Sequence, residues 1–493
     1  DVFEGEVDDE YKLIRFTMPN LQPGCIIEYR YKVRSEHGTF LRNWSFQTSE
    51  PTRWSEFQAV IPNALEYVMV RQAIPKFDVE HMESLPWPRD LMLSQTADFY
   101  GLRVTEHRWG LRDIPALREE PFMTTPEDFR AKIRFQLAGY RFPRQPFQPV
   151  MESWQKLAED LMESRSFGGE IERHKILRTQ AEVLTANLSS PLEKMRAIYD
   201  YVRTTMTWNG ERGVYITEDL DDAFKAKTGG GPEIALMLTS MLHFAGLEAR
   251  PVLVSTREHG RLHKQYSILT QFNHVLTHVK IGANEYLLDA TDPLLPYNIL
   301  PVAALNELGF RVDKKKPTWV RIVSPGSYSN RTVVTATLLA DGSIAGHFEA
   351  TDDGYSGFFD RHLLLEKSEE EYINEGWLDD LTGAVLDSFS ISNVDSIYSP
   401  LLTQAQFSTA DHCLATGGKI YFNPTFFGRF EENPFKLEKR TFPVDYAYGR
   451  KYSYILYLTL PEGYTVAERP ENIDIRLPKN GGQFVRQIYV NDD

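Results

Sequence analysis

Residues 227–236 read KTGGGPEIAL, and three related stretches follow at short intervals: GLEARPVLVST at 246–256, FNHV at 272–275 and YLLDATDP at 286–293. Three consecutive glycines and a proline before an apolar run are typical of a loop that enters a helix. The run ends at Gly246, a residue type that commonly terminates helices. The aliphatic stretches beyond it predict three strands, at 249–256, 275–281 and 285–288. The segment therefore predicts a buried helix packed beside neighbouring strands.

Three amphipathic helices are expected before this segment. Trp154, Leu157 and Leu161 share one helical face, and a second apolar face runs from Leu177 to Leu188. A third helix begins at Pro191. The Ser190 side chain can cap its first turn, and the Glu193 side chain can accept a hydrogen bond from the Ser190 backbone N–H. Its buried stripe consists of Leu192, Met195, Ile198 and Val202.

Both ends of the chain have β character. Ile27, Tyr29, Tyr31 and Val33 alternate with charged residues, the period-two pattern of a strand with one buried face. Near the other end, Asp341-Gly342 separates two apolar runs, which is a strong hairpin signal. We expect a multidomain α+β protein with three parts: an antiparallel β-sandwich at 1–142, an α+β domain at 143–318 and a β-rich domain at 319–493.

The four quoted stretches, in their order, resemble the transglutaminase-like superfamily. Trp208-Asn209-Gly210 and the stretch RTFPVDY at 440–446 are similar to one bacterial subgroup of that superfamily. In this subgroup the transglutaminase-like domain lies between two β domains of unknown function. The resemblance implies a papain-like central fold with a Cys-His-Asp arrangement.

The resemblance also implies which positions formed the reactive site. A cysteine at a helix N-terminus is activated by the helix dipole and by a nearby histidine, which an aspartate orients. His274 and Asp289 match the second and third roles, and the nucleophile position falls on Gly231. Glycine has no side chain, so no thiolate can form there, and we expect these inherited positions to be inactive.

Each of these residues also has a purely structural explanation. A His274–Asp289 hydrogen bond can simply be a satisfied buried polar pair. Trp208 can line the old cleft or fill the core. Other hydroxyls and thiols lie outside the helix-start position, namely Ser255, Thr228, Thr256, Cys25 and Cys413.

Composition argues against nucleic acid as a partner, because the net charge is −15 and the only basic run is residues 314–316. No metal or cofactor is expected. His259 with His263, and His274 with His278, have the spacing of a ligand pair but lack an evident third ligand. Asp352-Asp353-Gly354 indicates a turn and not a calcium loop. The adjacent residues Asp411, His412 and Cys413 are not expected to face each other as a triad.

The two cysteines and the chain start bear on location. Cys25 and Cys413 are expected to be buried, unpaired thiols. No apolar stretch is long enough to cross a bilayer. Because the sequence opens on Asp1 and leads at once into a strand pattern, we interpret it as a mature chain. The resembled subgroup is usually exported, which implies the periplasm, either free or associated with the outer membrane.

Three functions are compatible with these observations. The favoured hypothesis is a non-catalytic binding or scaffold subunit with protein partners in the cell envelope, and Gly231 is its distinguishing feature. The alternative is a hydrolase or acyl transferase that uses His274 and Asp289 with an unrecognised nucleophile. A carbohydrate-binding module array has only the 12% aromatic content in its favour.

Overall fold

The computed structural model describes residues 2–6, 12–16, 18, 22–30, 41–87, 103–142, 145–379, 381–428 and 432–491. Within these ranges the chain has mixed α+β structure. A region with five helices lies centrally, and β-rich regions lie at both ends. None of the helices in these ranges combines the length and apolarity needed to cross a bilayer.

The described residues of the N-terminal region form nine strands: β1 (Val2–Glu6), β2 (Lys12–Phe16), β3 (Trp44–Ser45), β4 (Thr52–Pro62), β5 (Leu65–Gln72), β6 (Val79–Pro86), β7 (Arg103–Ile114), β8 (Lys132–Tyr140) and β9 (Gln148–Pro149). One antiparallel sheet has the order β3-β8-β5, with β9 paired to β8, and the other has the order β4-β7-β6. Ala59 and Trp109 from one sheet and Ile133 from the other share one core. This is the antiparallel arrangement that the sequence predicts.

The strand predicted around Ile27 is wrong for the residues described there. Residues 25–30 have no strand assignment, and Ile26 is 96% exposed. A segment in which apolar and charged residues alternate becomes a strand only where another strand pairs with the segment. That pairing depends on distant parts of the chain. Tyr31 and Val33 lie outside the described residues. Cys25 is a free thiol but is exposed, so its predicted burial is also wrong, whereas Cys413 is free and half-buried.

The central region contains the helices α1 (Trp154–Glu163), α2 (Lys175–Thr185), α3 (Pro191–Thr205), α4 (Leu220–Ala226) and α5 (Gly231–Phe244). Its strands are β10 (Thr207–Trp208), β11 (Thr228–Gly229), β12 (Glu248–Val254), β13 (His274–Ile281), β14 (Asn284–Leu288), β15 (Glu307–Arg311) and β16 (Thr318–Ile322). Five of them form an antiparallel sheet in the order β14-β13-β12-β15-β16. β16 spans the boundary expected between residues 318 and 319.

Helix α5 is the centre of this region. Every residue from 231 to 242 is buried, because the other helices pack on one side of it and the sheet on the other. A helix that is apolar on nearly all sides belongs in such a position. Pro232 lies in its first turn, and Gly246 adopts a φ of +81° just beyond its end. At α3, Pro191 is the first residue as predicted, but the predicted cap is wrong, since the Ser190 side chain makes no capping bond.

The C-terminal region adds β17 (Tyr328–Leu338), β18 (Ile344–Gly354), α6 (Tyr355–Glu366), α7 (Glu369–Ile373), β19 (Ala384–Ser392), β20 (Leu401–Thr409), β21 (Leu414–Thr416), β22 (Lys419–Tyr421), β23 (Arg450–Thr459), β24 (Ile473–Arg476) and β25 (Gln483–Arg486). The main sheet has the order β19-β20-β18-β17-β23, and only the β17–β23 pairing is parallel. The predicted hairpin at Asp341-Gly342 is present between β17 and β18. The sequence did not predict α6 and α7.

Residues 440–446 of the C-terminal region contact both the N-terminal and the central region. Glu120 of the N-terminal region accepts the backbone N–H groups of Thr441 (2.8 Å) and Phe442 (3.1 Å). Arg257 of the central region lies 3.3 Å from the Asp445 carboxylate. The central and C-terminal regions also share a hydrophobic cluster of residues from β12, β13 and α6.

Candidate functional site

Gly231 begins α5 and faces the imidazole ring of His274. An ideal Cβ on Gly231 would lie 3.1 Å from Nδ1 and 3.3 Å from Cε1 of His274. Any side chain at residue 231 would therefore extend from the N-terminus of α5 toward this ring. Because the helix dipole favours negative charge there, the position suits a thiolate that the residue present cannot supply.

His274 and Asp289 form a buried pair. His274 Nε2 lies 2.7 Å from Asp289 Oδ2, and neither side chain is more than 1% exposed. The other carboxylate oxygen, Oδ1, accepts the N–H (3.0 Å) and the hydroxyl (2.6 Å) of Thr291. Burial pushes the pKa of Asp289 upward, but the electrostatic attraction of the adjacent His274 ring and the hydrogen bonds from His274 and Thr291 hold the pKa below its ordinary value. The carboxyl group is therefore ionised and can only accept.

The second ring nitrogen of His274 is the unusual atom of the site. Because the ionised Asp289 accepts from Nε2, that nitrogen carries a proton. Nδ1 is buried and has no hydrogen-bond partner within the described part of the chain. It points at the place where a side chain of residue 231 would be. A histidine so oriented is positioned as the base of a nucleophile that is missing.

Two N–H groups converge beside this empty position. Gly231 N donates to the backbone carbonyl of Glu211 at 3.0 Å, and Trp208 Nε1 donates to the same oxygen at 2.9 Å. That oxygen is 3.5 Å from the Cβ position of residue 231. Paired donors next to a nucleophile are the arrangement that stabilises an oxyanion. Here the protein's own carbonyl occupies both donors.

Local structure explains why Glu211 reaches this point. β10 and β11 pair in parallel, which places Trp208 next to Gly229, two residues before α5. The chain turns back at Gly210, whose φ is +90°, and Asn209 accepts the Glu211 N–H at 2.9 Å. The Trp208 ring is half-buried at the edge of the core, and Arg212 covers it at 4.9 Å. Trp208 thus both lines the site and packs against the core.

The other candidate nucleophiles have different partners. The Ser255 hydroxyl donates to Gly260 O (2.6 Å), so the contact with His259 Nδ1 (3.0 Å) uses the serine oxygen as acceptor. Thr256 accepts from the Asn273 side chain, and Thr228 is exposed on β11. Within the described residues, no hydroxyl or thiol is hydrogen-bonded to His274.

Sequence reasoning missed the role of Glu233. Its carboxylate is buried in the first turn of α5, where Oε1 accepts the backbone N–H groups of Thr217 (2.5 Å) and Glu218 (3.2 Å). It holds the loop before α4 against the helix start. An acidic residue directly after Gly-Pro at a predicted helix start was the available signal, because carboxylates are favoured there.

Among the described residues, neither histidine pair considered as a metal ligand belongs to a group of three or more side chains that could hold an ion. His274 is engaged by Asp289, and His278 lies 3.5 Å from Glu285. His259 contacts Ser255. The Asp352-Asp353-Gly354 stretch ends β18, and His412 lies 3.3 Å from the Asn423 carbonyl.

A cluster that the sequence did not suggest contains Glu170, His174 and Asp219, whose ligand atoms lie within 4.8 Å of one another. Both ring nitrogens of His174 already lie 2.8 Å from carboxylate oxygens, those of Glu170 and Asp221. These hydrogen bonds connect the start of α2 to α4 and account for the cluster without a metal ion.

Comparison with protein families bears on this geometry. Residues 178–289, from α2 to Asp289, match the model of the transglutaminase-like superfamily. The central domain is transglutaminase-like. Residues 418–493 match a domain of unknown function, DUF3858. The papain-like α+β centre expected from the sequence is thereby confirmed.

Two solved structures are similar to this chain at low identity. One is a proposed protease from Parabacteroides distasonis, with 14% identity and a TM-score of 0.42, covering 74% of this chain and 68% of the other. The second is a proposed cysteine protease from Cytophaga hutchinsonii, with 13% identity and a TM-score of 0.21, covering 50% and 74%. A comparison with curated proteins gives no match.

Proposed function

We propose that this protein is a non-catalytic member of the transglutaminase-like superfamily that acts as a binding or scaffold subunit. We place it in the cell envelope, in the periplasm or attached to the outer membrane through protein partners. The export expected of the resembled subgroup motivates this location.

The observation that carries the proposal is that Nδ1 of His274, which has no partner among the described residues, faces a residue without a side chain. Cysteine-dependent acyl transfer needs a thiolate at this point to form the covalent intermediate. In a triad enzyme, removal of the nucleophile lowers kcat by on the order of 10⁶. The orienting pair without the nucleophile cannot support that chemistry.

The occupied donor pair gives independent support. An oxyanion that forms during acyl transfer would need the N–H groups of Gly231 and Trp208, and the Glu211 carbonyl already accepts both. A substrate would have to displace this carbonyl before reaction. The site is therefore closed at the point where negative charge would develop.

Retention of His274 and Asp289 does not require catalysis. The Asp289 side chain is hydrogen-bonded to Thr291 and His274. The Asp289 backbone carbonyl accepts a hydrogen bond from the buried Tyr199 hydroxyl at 2.9 Å. Loss of either partner would leave a buried polar group unsatisfied. The pair thus has a structural role in the domain core.

Because Nδ1 has no partner in the described part of the chain, it also supports the alternative, a hydrolase or acyl transferase in which His274 activates water or an unrecognised nucleophile. Incubation of the wild type with a glutamine-containing peptide, with and without an amine acceptor, separates the two functions. We expect turnover no greater than that of His274→Ala. Wild-type turnover that disappears in His274→Ala would establish the alternative.

Location and partners need a separate experiment. Fractionation of the native cells should place the protein in the periplasmic or outer-membrane fraction, and reciprocal tagging of each co-purified protein should recover this chain. Recovery of the full-length protein from cytosol alone would contradict the envelope proposal.

A further inference from the structure

A cavity of about 280 Å³ lies where the transglutaminase-like domain meets the C-terminal region. α3 and the loop 296–298 form one wall, and α6 with the loop 397–399 forms the other. Pockets for drug-sized ligands have volumes of roughly 300–1,000 Å³. This cavity is slightly smaller, so it suits one small molecule and not a segment of a folded partner.

Arg196 is the cationic group of the cavity. Its guanidinium carbon lies 5.4 Å from the ring centre of Tyr297 and 4.8 Å from that of Tyr398. The two tyrosines hold the guanidinium in place through cation–π contacts. Among the described residues it has no hydrogen bond or ion pair. Its fork of N–H donors, which matches the geometry of a carboxylate, is thus available to a ligand.

Asp353 brings a negative charge to the same cavity. Its side chain is exposed, and its Oδ1 accepts the Gly354 N–H at 2.8 Å. The charge of Arg361, which also lines the cavity, interacts with it, but within the described residues it forms no ion pair with Arg196. Two opposite charges that line one small cavity without pairing each other can each pair with a complementary group on one ligand.

The wall that carries Tyr398 is rigid. Arg361, which is 4% exposed, binds four backbone carbonyls of the loop 393–399, those of Asn393 (2.9 Å), Val394 (3.0 Å), Ser396 (3.1 Å) and Ser399 (2.7 Å). The Tyr398 hydroxyl also donates to Asp200 on α3. A preformed wall loses little conformational entropy on binding.

We propose that this cavity binds a small zwitterion of amino-acid or dipeptide size. Arg196 holds its carboxylate, Asp353 holds its ammonium group, and its apolar part lies against Phe358 and Ile397, which also line the cavity. The site is separate from Gly231 and its proposed inactivity. Since two regions supply the walls, bound ligand stabilises their contact.

Isothermal titration of the full chain with four probes tests the proposal: the dipeptide alanyl-leucine, its N-acetyl form, its C-terminal amide, and glucose as a neutral molecule. We expect one site for the dipeptide. Blocking either charge should weaken binding by about tenfold or more, because each removes a charge-assisted hydrogen bond. Glucose should not bind at the same concentrations.

Two variants test which residue binds which charged group of the ligand. Arg196→Gln should weaken dipeptide binding at least about tenfold and remove the difference between the dipeptide and its amide. Asp353→Asn should remove the difference between the dipeptide and its N-acetyl form. Arg178→Gln is the matched control, because Arg178 also lies over an aromatic ring, that of Phe244 at 4.6 Å, but does not line the cavity. It should bind as the wild type does.

Thermal unfolding of each variant verifies that it is folded. Absence of saturable dipeptide binding to the folded wild type at millimolar concentration would overturn the proposal. So would undiminished binding by folded Arg196→Gln, or tighter binding of glucose than of the dipeptide.

Discussion

The transglutaminase-like domain and the C-terminal region each bury a pair of ionisable side chains, and the two pairs differ in charge balance. In the first, Asp289 faces His274, and its pKa lies below the ordinary value. In the second, Asp352 and Asp360 are both acids. Burial and the charge of Asp352 raise the pKa of Asp360 to about 8, and burial raises the pKa of Asp352 as well.

The surroundings of the acid pair explain its behaviour. Asp352 Oδ1 accepts the Asn330 amide (2.7 Å) and the Ser356 hydroxyl (2.6 Å), which supports one ionised carboxylate. A second negative charge beside it would be unfavourable, so the pair retains a proton. We therefore expect the stability of the C-terminal region to depend on pH near neutrality. In the His274–Asp289 pair, by contrast, a hydrogen-bond donor faces the carboxylate, so the pair is satisfied without any reaction.

The largest effect is expected when the His274–Asp289 pair is broken. Asp289→Ala removes the acceptor of the buried His274 N–H and both bonds to Thr291. We expect the free energy of unfolding of the transglutaminase-like domain to fall by about 3 kcal/mol or more. Urea denaturation measures this change.

Asp160→Ala is the control for that variant. Asp160 pairs with Lys156 on the surface of α1, and its side chain is 54% exposed. A surface ion pair contributes at most about 1 kcal/mol. If Asp289→Ala cost no more than Asp160→Ala, the structural role of the His274–Asp289 pair would be refuted.

An intermediate effect concerns pH. Asp360 is protonated in the folded state up to about pH 8, whereas in the unfolded chain it ionises near its ordinary pKa of about 3.9. The folded state therefore binds more protons between these values, and stability falls as pH rises, by up to about 1.4 kcal/mol per pH unit. Amide protection in β18 and α6, which is the exchange rate corrected for its intrinsic pH dependence, should fall across this range. Asp360→Asn should flatten the dependence.

The stability that Asp289 contributes depends on pH in the opposite direction. Because its folded pKa is lowered, its contribution is present above the unfolded pKa and is lost only as pH falls through the folded pKa. Amide protection in α5 should stay level over the range in which α6 loses protection. If amide protection fell equally with pH in α5 and α6, the difference between the two buried pairs would be refuted.

The smallest effect concerns the occupied donor pair, the N–H groups of Gly231 and Trp208 that both donate to the Glu211 carbonyl. Trp208→Phe keeps the aromatic ring but removes the N–H that donates to Glu211. The Gly231 N–H remains, so we expect a loss of only about 1 kcal/mol. Amide exchange should increase within 209–213 and not in α2. Unchanged exchange in this loop would mean that the Trp208 bond does not hold Glu211 in place.

Local signals explain why the centre of the fold was predictable. Gly-Pro before an apolar run and Gly246 after it mark the ends of α5, and the following aliphatic runs become β12, β13 and β14. The resemblance assigned Gly231, His274 and Asp289 their positions, and the structure brings these three residues together.

Features that depend on distant parts of the chain were not predictable in the same way. α6 follows β18 directly through Gly354, with no loop to mark the change. The Glu211 carbonyl enters the site through its backbone, so side-chain chemistry gives no signal for it. Arg196 is an ordinary polar residue of α3 until Tyr297 and Tyr398 are placed beside it.

The site keeps the helix start and the histidine that would activate a nucleophile but has no nucleophile there, and the pKa of a thiol at residue 231 tests this most directly. Gly231→Cys is titrated by the ultraviolet absorbance of its thiolate, with the wild type subtracted to remove Cys25 and Cys413. We predict a pKa at least about one unit below the free value of ~8.5, because the helix N-terminus and His274 stabilise the thiolate. Adding His274→Ala should raise it again. A pKa at or above ~8.5, unaffected by His274→Ala, would show that the geometry cannot activate a nucleophile.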